Sequence, residues 1–419
     1  MFQERMQMAF DPERFAQEFS ILKSFPKGNL HYLDNAAMSQ VPDCVIKAMV
    51  DHETLRRSNV KRGIHHLAEA ANEAFEKARV QVAVYLGVNH AEEVIFTSGA
   101  TAGINILALS FGQNLKPDDE ILLSHLEHHS NIIPWQMLRQ RRGVTIRYLP
   151  ITDDGRLNLD RAEELITDRT KLVAVSHGSN VTGAITDVTP LARLVHDKGS
   201  KLMLDGAQVA PKGPIDLART GADFYVFSGH KVYGPSGIGV LWGRRDLLEK
   251  LPPALGGGEM IRHVGLEGSS YDEPPHRFEA GTPPVTQAVG LGAALEWLGR
   301  QDLSGFHRHL TALTERIMEG LIRISRERNN SIRILGPEPG RPRLPLVSFA
   351  VQDVHPHDIC QFMSDRHGVA LRGGHHCAQP LHDLWNLSGS TRASLAGFNQ
   401  KNDVDAFLDG MEDCLNVLG

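Results

Sequence analysis

Cysteine is scarce in this chain. There are four in 419 residues, Cys44, Cys360, Cys377 and Cys414, and no two form a CxxC pair. A disulfide framework needs paired thiols, so none is expected. A long basic run is also missing, and the net charge is -6. That removes the electrostatic reason to expect nucleic acid or an anionic membrane as a partner. No uninterrupted apolar run approaches the roughly 20 residues of a spanning helix. Residues 1–10 lack the basic-then-apolar layout of a secretory leader, so a cytoplasmic location is the expectation. Internal repeats and low-complexity tracts are absent too. What is present is an ordinary globular composition, 41% hydrophobic and 22% charged. A chain of 419 residues exceeds one simple core, which implies a large domain plus a smaller one.

The apolar pattern then sets the class. Asp11-Pro12 reads as a helix start, Pro42 opens another helix, and a long alanine-rich helix covers 68–86. From there short apolar strands alternate with helices. Seven strands are predicted, at 94–97, 120–124, 145–149, 172–176, 201–204, 224–227 and 239–242. This alternation predicts an α/β fold whose seven-stranded, mostly parallel sheet is covered by helices on both faces. Ligands of such sheets bind at the carboxyl ends of the strands. Thr101, His128, Asn180, Asp205 and Lys231 all follow such ends. Residues 251–284 read as a Gly/Pro-rich excursion and 336–345 as a linker. Beyond it, strands at 346–351, 369–372 and 391–396 with intervening helices read as a smaller α+β domain. The expected division is 26–297 for the large domain, with 1–25 and 298–419 forming the small one.

One stretch carries the chemistry. The apolar segment 224–227 runs into Ser228-Gly-His-Lys231, followed by Gly234, Pro235, Gly237 and Gly239. A lysine ending a buried strand is poorly solvated, which favours the neutral amine that condenses with an aldehyde. A surface loop lysine is the bland alternative, and the neighbouring residues weigh against it. Pyridoxal phosphate held by such a lysine needs a carboxylate at its pyridinium nitrogen, a donor for its ring oxygen, and N–H groups with hydroxyls for its phosphate. Asp205 suits the first need and Gln208 the second. Gly99-Ala100-Thr101 at a helix start, with Ser228 and His230, suits the third. His128 is placed to stack on the ring and shuttle a proton. A plain helix cap is the ordinary alternative for Asp205 and for the 98–101 turn, and a structural role is the alternative for His128.

A second cluster is Arg372-Gly-Gly-His-His-Cys377-Ala-Gln-Pro380. A thiolate is the reactive form of cysteine, and Arg372, His375 and His376 are expected to favour it. Cys44, Cys360 and Cys414 are expected to be inert buried thiols. His-His-Cys offers at most three close ligands, so no metal site is expected. The glycines and Pro380 indicate an exposed loop. Arg372 and Arg392 are each suited to clamp a substrate carboxylate bidentately, Arg392 better because its neighbours are apolar. Thr282, in the constrained turn Arg277-Phe-Glu-Ala-Gly-Thr-Pro283, has a hydroxyl suited to a phosphate on a neighbouring subunit.

Taken with Glu-His128-His-Ser-Asn-Ile-Ile-Pro-Trp-Gln and Asp205-Gly-Ala-Gln208, these motifs resemble the group II cysteine desulfurases of the Suf or Csd type. Those enzymes are a class V aminotransferase branch of the fold-type I pyridoxal-phosphate enzymes. The resemblance runs from Leu30 to the end. It implies the PLP-transferase fold, pyridoxal 5'-phosphate as cofactor, L-cysteine as substrate, and a homodimer with sites at the subunit interface. It implies that Lys231 forms the Schiff base and removes the Cα proton. Asp205 and Gln208 hold the ring, under a stacked His128. Ala100, Thr101, Ser228 and His230 bind the phosphate, with Thr282 from the partner chain, and Asn180 also contacts the cofactor. Asn180, Arg372, Arg392 and His65 position the substrate. Cys377 takes the sulfur as a persulfide for a SufE-like or SufU-like acceptor, in iron–sulfur cluster assembly or related sulfur transfer. Three alternatives stay open: a lyase for L-selenocysteine, another lyase or transaminase on this fold, and a non-catalytic relay protein. Two departures stand out. Ala100-Thr101 carries one hydroxyl where relatives often have two threonines, which implies weaker phosphate binding. Gly373-Gly374 implies a looser cysteine loop.

Overall fold

The predicted alternation resolves into one seven-stranded sheet. Its order is Val94–Thr97, Gly239–Gly243, Phe224–Ser228, Lys201–Asp205, Thr170–Ser176, Glu120–Ser124, Thr145–Leu149. This computed structural model describes residues 9–25, 30–329 and 331–418, so the expected domain boundary at residue 26 lies outside the described residues, as do residues 1–8. Gly239–Gly243 runs antiparallel to both its neighbours, and all other pairs in the sheet are parallel.

Alternate side chains of each strand enter two different cores. Leu122, Val173, Leu204 and Phe227 pack on one face, and Ile121, Leu123, Met203 and Val226 on the other. Burial on both faces is why these strands read as continuous apolar runs. Three of them extend one residue past the predicted end, by Gly243 in one and by a polar residue in the other two. Those last residues, Asp205 and Ser228, are polar yet only 6% exposed. The polar strand ends therefore mark the site.

A second, antiparallel sheet has the order Ile332–Leu335, Leu346–Val351, Ser390–Ser394, Arg372–Gly374. The helices Leu303–Glu327, Pro356–His367 and Lys401–Leu418 accompany it. The strand predicted at 369–372 divides in two. Val369–Ala370 pairs in parallel with His31–Tyr32, whereas Arg372–Gly374 joins the second sheet. The strand Ile332–Leu335 was not predicted, because it alternates polar and apolar over only four residues. Nor was the hairpin Ile261–Val264 with Ser269–Tyr271, whose residues are almost all exposed and so leave no burial pattern to read.

One buried ion pair ties the edge of the large sheet together. Arg79 sits in helix His66–Tyr85 and is 1% exposed. Its Nη1 donates to Glu279 Oε1 at 2.6 Å and to Val94 O at 2.8 Å, and its Nη2 to Glu279 Oε2 at 3.0 Å. Glu279 Oε1 also accepts the Phe96 N–H at 2.8 Å. The pair thus fixes the helix, the strand leading to Gly99-Ala100-Thr101, and the segment leading to Thr282. Burial pushes the Glu279 carboxyl up, but Arg79 outweighs it and the carboxyl is held at about 2.

Removing one partner of a buried pair strands the other charge. Glu279→Ala is therefore expected to destabilise the fold by about 3–5 kcal/mol, seen as a lower urea midpoint. The folded carboxyl titrates below its ordinary range. Its contribution is full above that range and is lost as pH falls towards about 2. Acid unfolding of Glu279→Ala should lose that part of its pH dependence, and an unchanged acid limb would contradict the assignment.

Candidate active site

Close backbone approach builds the site. A Cβ on Gly239 would stand 2.5 Å from Gly99 Cα, and Gly99 itself has φ 146°. Both positions need glycine. The turn before helix Ala100–Phe111 is thereby brought against the end of Phe224–Ser228, where Ser228 Oγ accepts the Ala100 N–H at 2.9 Å. The Ala100 N–H is thus already engaged, and Thr101 at the same helix start is exposed towards the cavity.

A cavity of about 190 Å3 lies at the carboxyl ends of the strands. Of the residues singled out in the sequence, Ala100, Thr101, His128, Asn180, Asp205, Gln208, Ser228, His230, Lys231, Arg372 and Arg392 all line it. Cys377 does not line it but stands beside it, with Sγ 4.0 Å from Arg372 Nη2. Thr282 and His65 are not brought to this cavity within one chain. Both are exposed, and His65 instead caps its helix by accepting the Ala68 N–H at 3.3 Å. Sequence reasoning missed Ala36, Ala37, Ser130, Ser176 and Gly178, which also line the cavity. It also missed Asp34, which holds Arg392. The run Asp34-Asn-Ala-Ala was visible only as a turn after a short strand.

The electrostatics follow from burial. Among the described residues, Asp205 accepts one hydrogen bond, from the Ala207 N–H at 3.0 Å. Burial raises its pKa, against the Ala207 N–H and the Lys231 charge. A buried carboxylate so sparsely partnered is suited to a cation in the cavity. Burial pushes the Lys231 amine down, Asp205 pushes back, and Arg392 and Arg372 lower it further, leaving it at about 8. Gln208 Nε2 donates one N–H to Ala36 O at 2.8 Å, which leaves its second N–H. Burial, helped by Lys231, pulls His128 down to about 3. Its Nδ1 accepts the Ser130 N–H at 3.1 Å, so the proton resides on Nε2. A neutral ring with its proton on Nε2 can stack and donate into the cavity.

The two arginines are cross-strand partners. Arg372 pairs with Arg392 in the antiparallel register. Like charges placed opposite each other destabilise a sheet, so this pair is a functional signal. Arg392 is 2% exposed, and donates from Nη1 to Asn180 O at 2.9 Å and from Nη2 to Asp34 Oδ1 at 3.2 Å. Its Nε has no partner among the described residues. Burial lowers its pKa to about 10, which still leaves it charged at neutral pH.

The cysteine cluster differs in part from expectation. His376 is buried, and its Nε2 lies 3.0 Å from Ser390 O and 3.1 Å from Ser390 Oγ. Burial drives its pKa well down, so it supplies no positive charge to the thiol. Arg372 is the cation beside Sγ. Cys377 is half-buried, not fully exposed. Among the other thiols Cys414 is buried, as expected, and burial pushes Cys360 up to about 12 and Cys414 to about 11. Cys44 is exposed, contrary to expectation, because it faces outward at the start of helix Asp43–Leu55.

The profile of the family described as Aminotransferase class-V matches residues 31–407. The chain belongs to that family. It is 42% identical over 416 residues to a probable cysteine desulfurase of Streptomyces coelicolor, covering 98% of each. It is also 42% identical over 385 residues to a cysteine desulfurase of Haloferax volcanii, covering 91% of this chain and 89% of that one. The apo structure of a cysteine desulfurase from Thermococcus onnurineus NA1 superposes with a TM-score of 0.92 at 35% identity, over 99% of this chain and 100% of that one. The cysteine desulfurase CsdA of Escherichia coli gives 0.90 at 35%, over 98% and 100%. This is the fold-type I architecture, and class V enzymes depend on pyridoxal phosphate. The residues present fit that cofactor: a buried carboxylate short of partners, a buried lysine held at about 8, and a helix start with Thr101 set against the strand-end hydroxyl of Ser228.

In the cofactor-free protein, reductive methylation of Lys231 should follow its neutral fraction and rise through a midpoint near about pH 8. An ordinary lysine titrates near ~10.4. Mass-spectrometric mapping across pH checks this, and a midpoint at the ordinary value would sink the burial account.

Proposed function

We propose that the protein is a cysteine desulfurase that moves sulfur from L-cysteine to Cys377 and releases L-alanine. The observation that carries this reading is Arg372, which lines the cofactor cavity and stands 4.0 Å from Cys377 Sγ. Family membership alone leaves many reactions open; a thiol beside the substrate arginines selects sulfur transfer.

On this reading Arg392 and Arg372 take the substrate carboxylate, and Asn180 stays fixed between Arg392 and the cysteine loop. Lys231, free of the cofactor once substrate is bound, removes the Cα proton. Bound pyridoxal phosphate supplies the electron sink that makes this proton removable. Asp205 balances the charge at the base of the cavity, and His128 covers it. The Cys377 thiolate then attacks the substrate sulfur. An S–S bond forms and the Cβ–S bond breaks. Its electron pair stays with carbon, and protonation there completes the methyl group of alanine. The product on the protein is a Cys377 persulfide.

The reading extends to partners. A SufE-like or SufU-like acceptor takes the persulfide sulfur for cluster assembly or a related use. A homodimer brings Thr282 and His65 to the partner's cavity. Exposed apolar residues on either side of His65 support this, Ile64 at 97% and Leu67 at 50%. The division into a large domain over 26–297 and a small one from the remainder is consistent with the two sheets. No described helix is long and apolar enough to cross a membrane; the proposed place of work is the cytoplasm.

Alanine release from cysteine, measured with and without candidate acceptors, tests the reading. Cys377→Ala is expected to lose about 100-fold or more, the scale of losing an activated nucleophile, while keeping its cofactor. Lys231→Ala should lose all turnover. Wild-type turnover of cysteine by Cys377→Ala would end the persulfide mechanism. If that variant kept its activity on selenocysteine alone, the reading would shift to a selenocysteine lyase.

A further inference from the structure

The segment after strand Glu120–Ser124 carries two successive histidines with different partners. His128 faces the cavity. His129 is tied to the cysteine loop, at both ends of the residue. Its backbone N–H donates to Cys377 O at 2.7 Å, and its ring Nε2 accepts the Gln379 N–H at 3.0 Å.

That loop needs restraint. His376 and Cys377 have φ of 51° and 56°. Two successive non-glycine residues in the left-handed region cost about 1 kcal/mol or more each, so such a conformation persists only where its surroundings impose it. Within the loop, the Ala378 N–H donates to His375 O at 2.8 Å. From outside, Asn180 Nδ2 donates to His376 O at 2.7 Å on one side, and His129 holds the other. Gln379 opens the helix Gln379–Leu384, whose N-cap residue Ala378 has no side-chain acceptor. The His129 ring supplies the acceptor that this helix start lacks.

The base beneath His129 is rigid. Glu127 is 1% exposed and accepts from Asn131 Nδ2 at 2.7 Å, from the Ser176 N–H at 3.0 Å, from Ser176 Oγ at 2.9 Å, and from Ser124 Oγ. Burial, with His375 adding to it, lowers the pKa of His129, which keeps the ring neutral and Nε2 open as an acceptor.

We propose that His129 is a positioning residue for the sulfur-accepting thiol: by holding the Gln379 and Cys377 backbones it fixes Sγ at the cavity edge beside Arg372. Its effect on turnover rests on the desulfurase reading. Its effect on the loop does not.

The test uses the holoenzyme of His129→Leu, His129→Gln and His129→Asn. The glutamine carbonyl reaches the position of Nε2, the asparagine carbonyl is one carbon short, and leucine has no acceptor. Two readouts are taken: kcat and KM for alanine formation, and the rate at which iodoacetamide alkylates Cys377 without substrate, followed by peptide mass spectrometry. His129→Leu is expected to lose about 10- to 100-fold in kcat, the scale of misplacing a reacting group. Its KM should stay within about twofold, and Cys377 should alkylate faster as the loop loosens. His129→Gln should restore both readouts, and His129→Asn should resemble leucine. If the leucine variant does not fold, the glutamine–asparagine difference decides. Unchanged kcat and alkylation in His129→Leu, or glutamine no better than asparagine, would overturn the proposal. If even the unmodified enzyme makes no alanine from cysteine, the desulfurase reading fails, and the alkylation series still reports on the restraint.

Discussion

The site depends on one opposition: a carboxylate and an amine buried at the ends of neighbouring strands. Asp205 and Lys231 are both taken from water, and each answers the other's charge while burial penalises both. The sheet makes this possible. The two strands concerned are apolar on both faces over 202–204 and 224–227, so the polar residue that ends each is delivered into a buried cavity. The glycine contact between Gly239 and Gly99 adds the helix start to the same place. A lysine near about 8 keeps a useful fraction of neutral amine at physiological pH, which a solvated lysine does not.

The fold was legible because double burial writes itself into sequence as uninterrupted apolar runs. The buried strands of the large sheet were found that way, with ends misjudged where polar residues are buried; the edge strand Thr145–Leu149, only partly buried, was found from its place in the alternation. The exposed hairpin at 261–271 was not legible, since nothing about it is buried. The cavity residues were legible as a set because they follow strand ends and carry charge or hydroxyls. What sequence proximity could not reveal was direction. His376 is adjacent to Cys377 but its ring is buried against Ser390, and burial keeps it from contributing charge. His129 is far from Cys377 in the chain yet bonded to it. Such pairings are set by tertiary packing.

The arginine pair shows the same logic in energetic terms. A register that places Arg372 opposite Arg392 is unfavourable for the sheet alone. Asp34 and Asn180 offset part of that cost by accepting from Arg392, and the Nε left without a partner shows that the offset is incomplete. An anion between the two guanidiniums would relieve the repulsion. The site is thus biased towards an anion.

Cys377 follows a strand of the four-stranded sheet, while Lys231 follows a strand of the seven-stranded one, three residues beyond Ser228. The gap between thiol and amine is therefore a property of the seam where the two sheets meet. The hydrogen bonds from Asn180 and His129 to the cysteine loop cross that seam. They work like the locking screw of a caliper, whose jaws belong to separate parts. Substitutions deep in either core can thus alter the reaction distance without touching a single residue of the site.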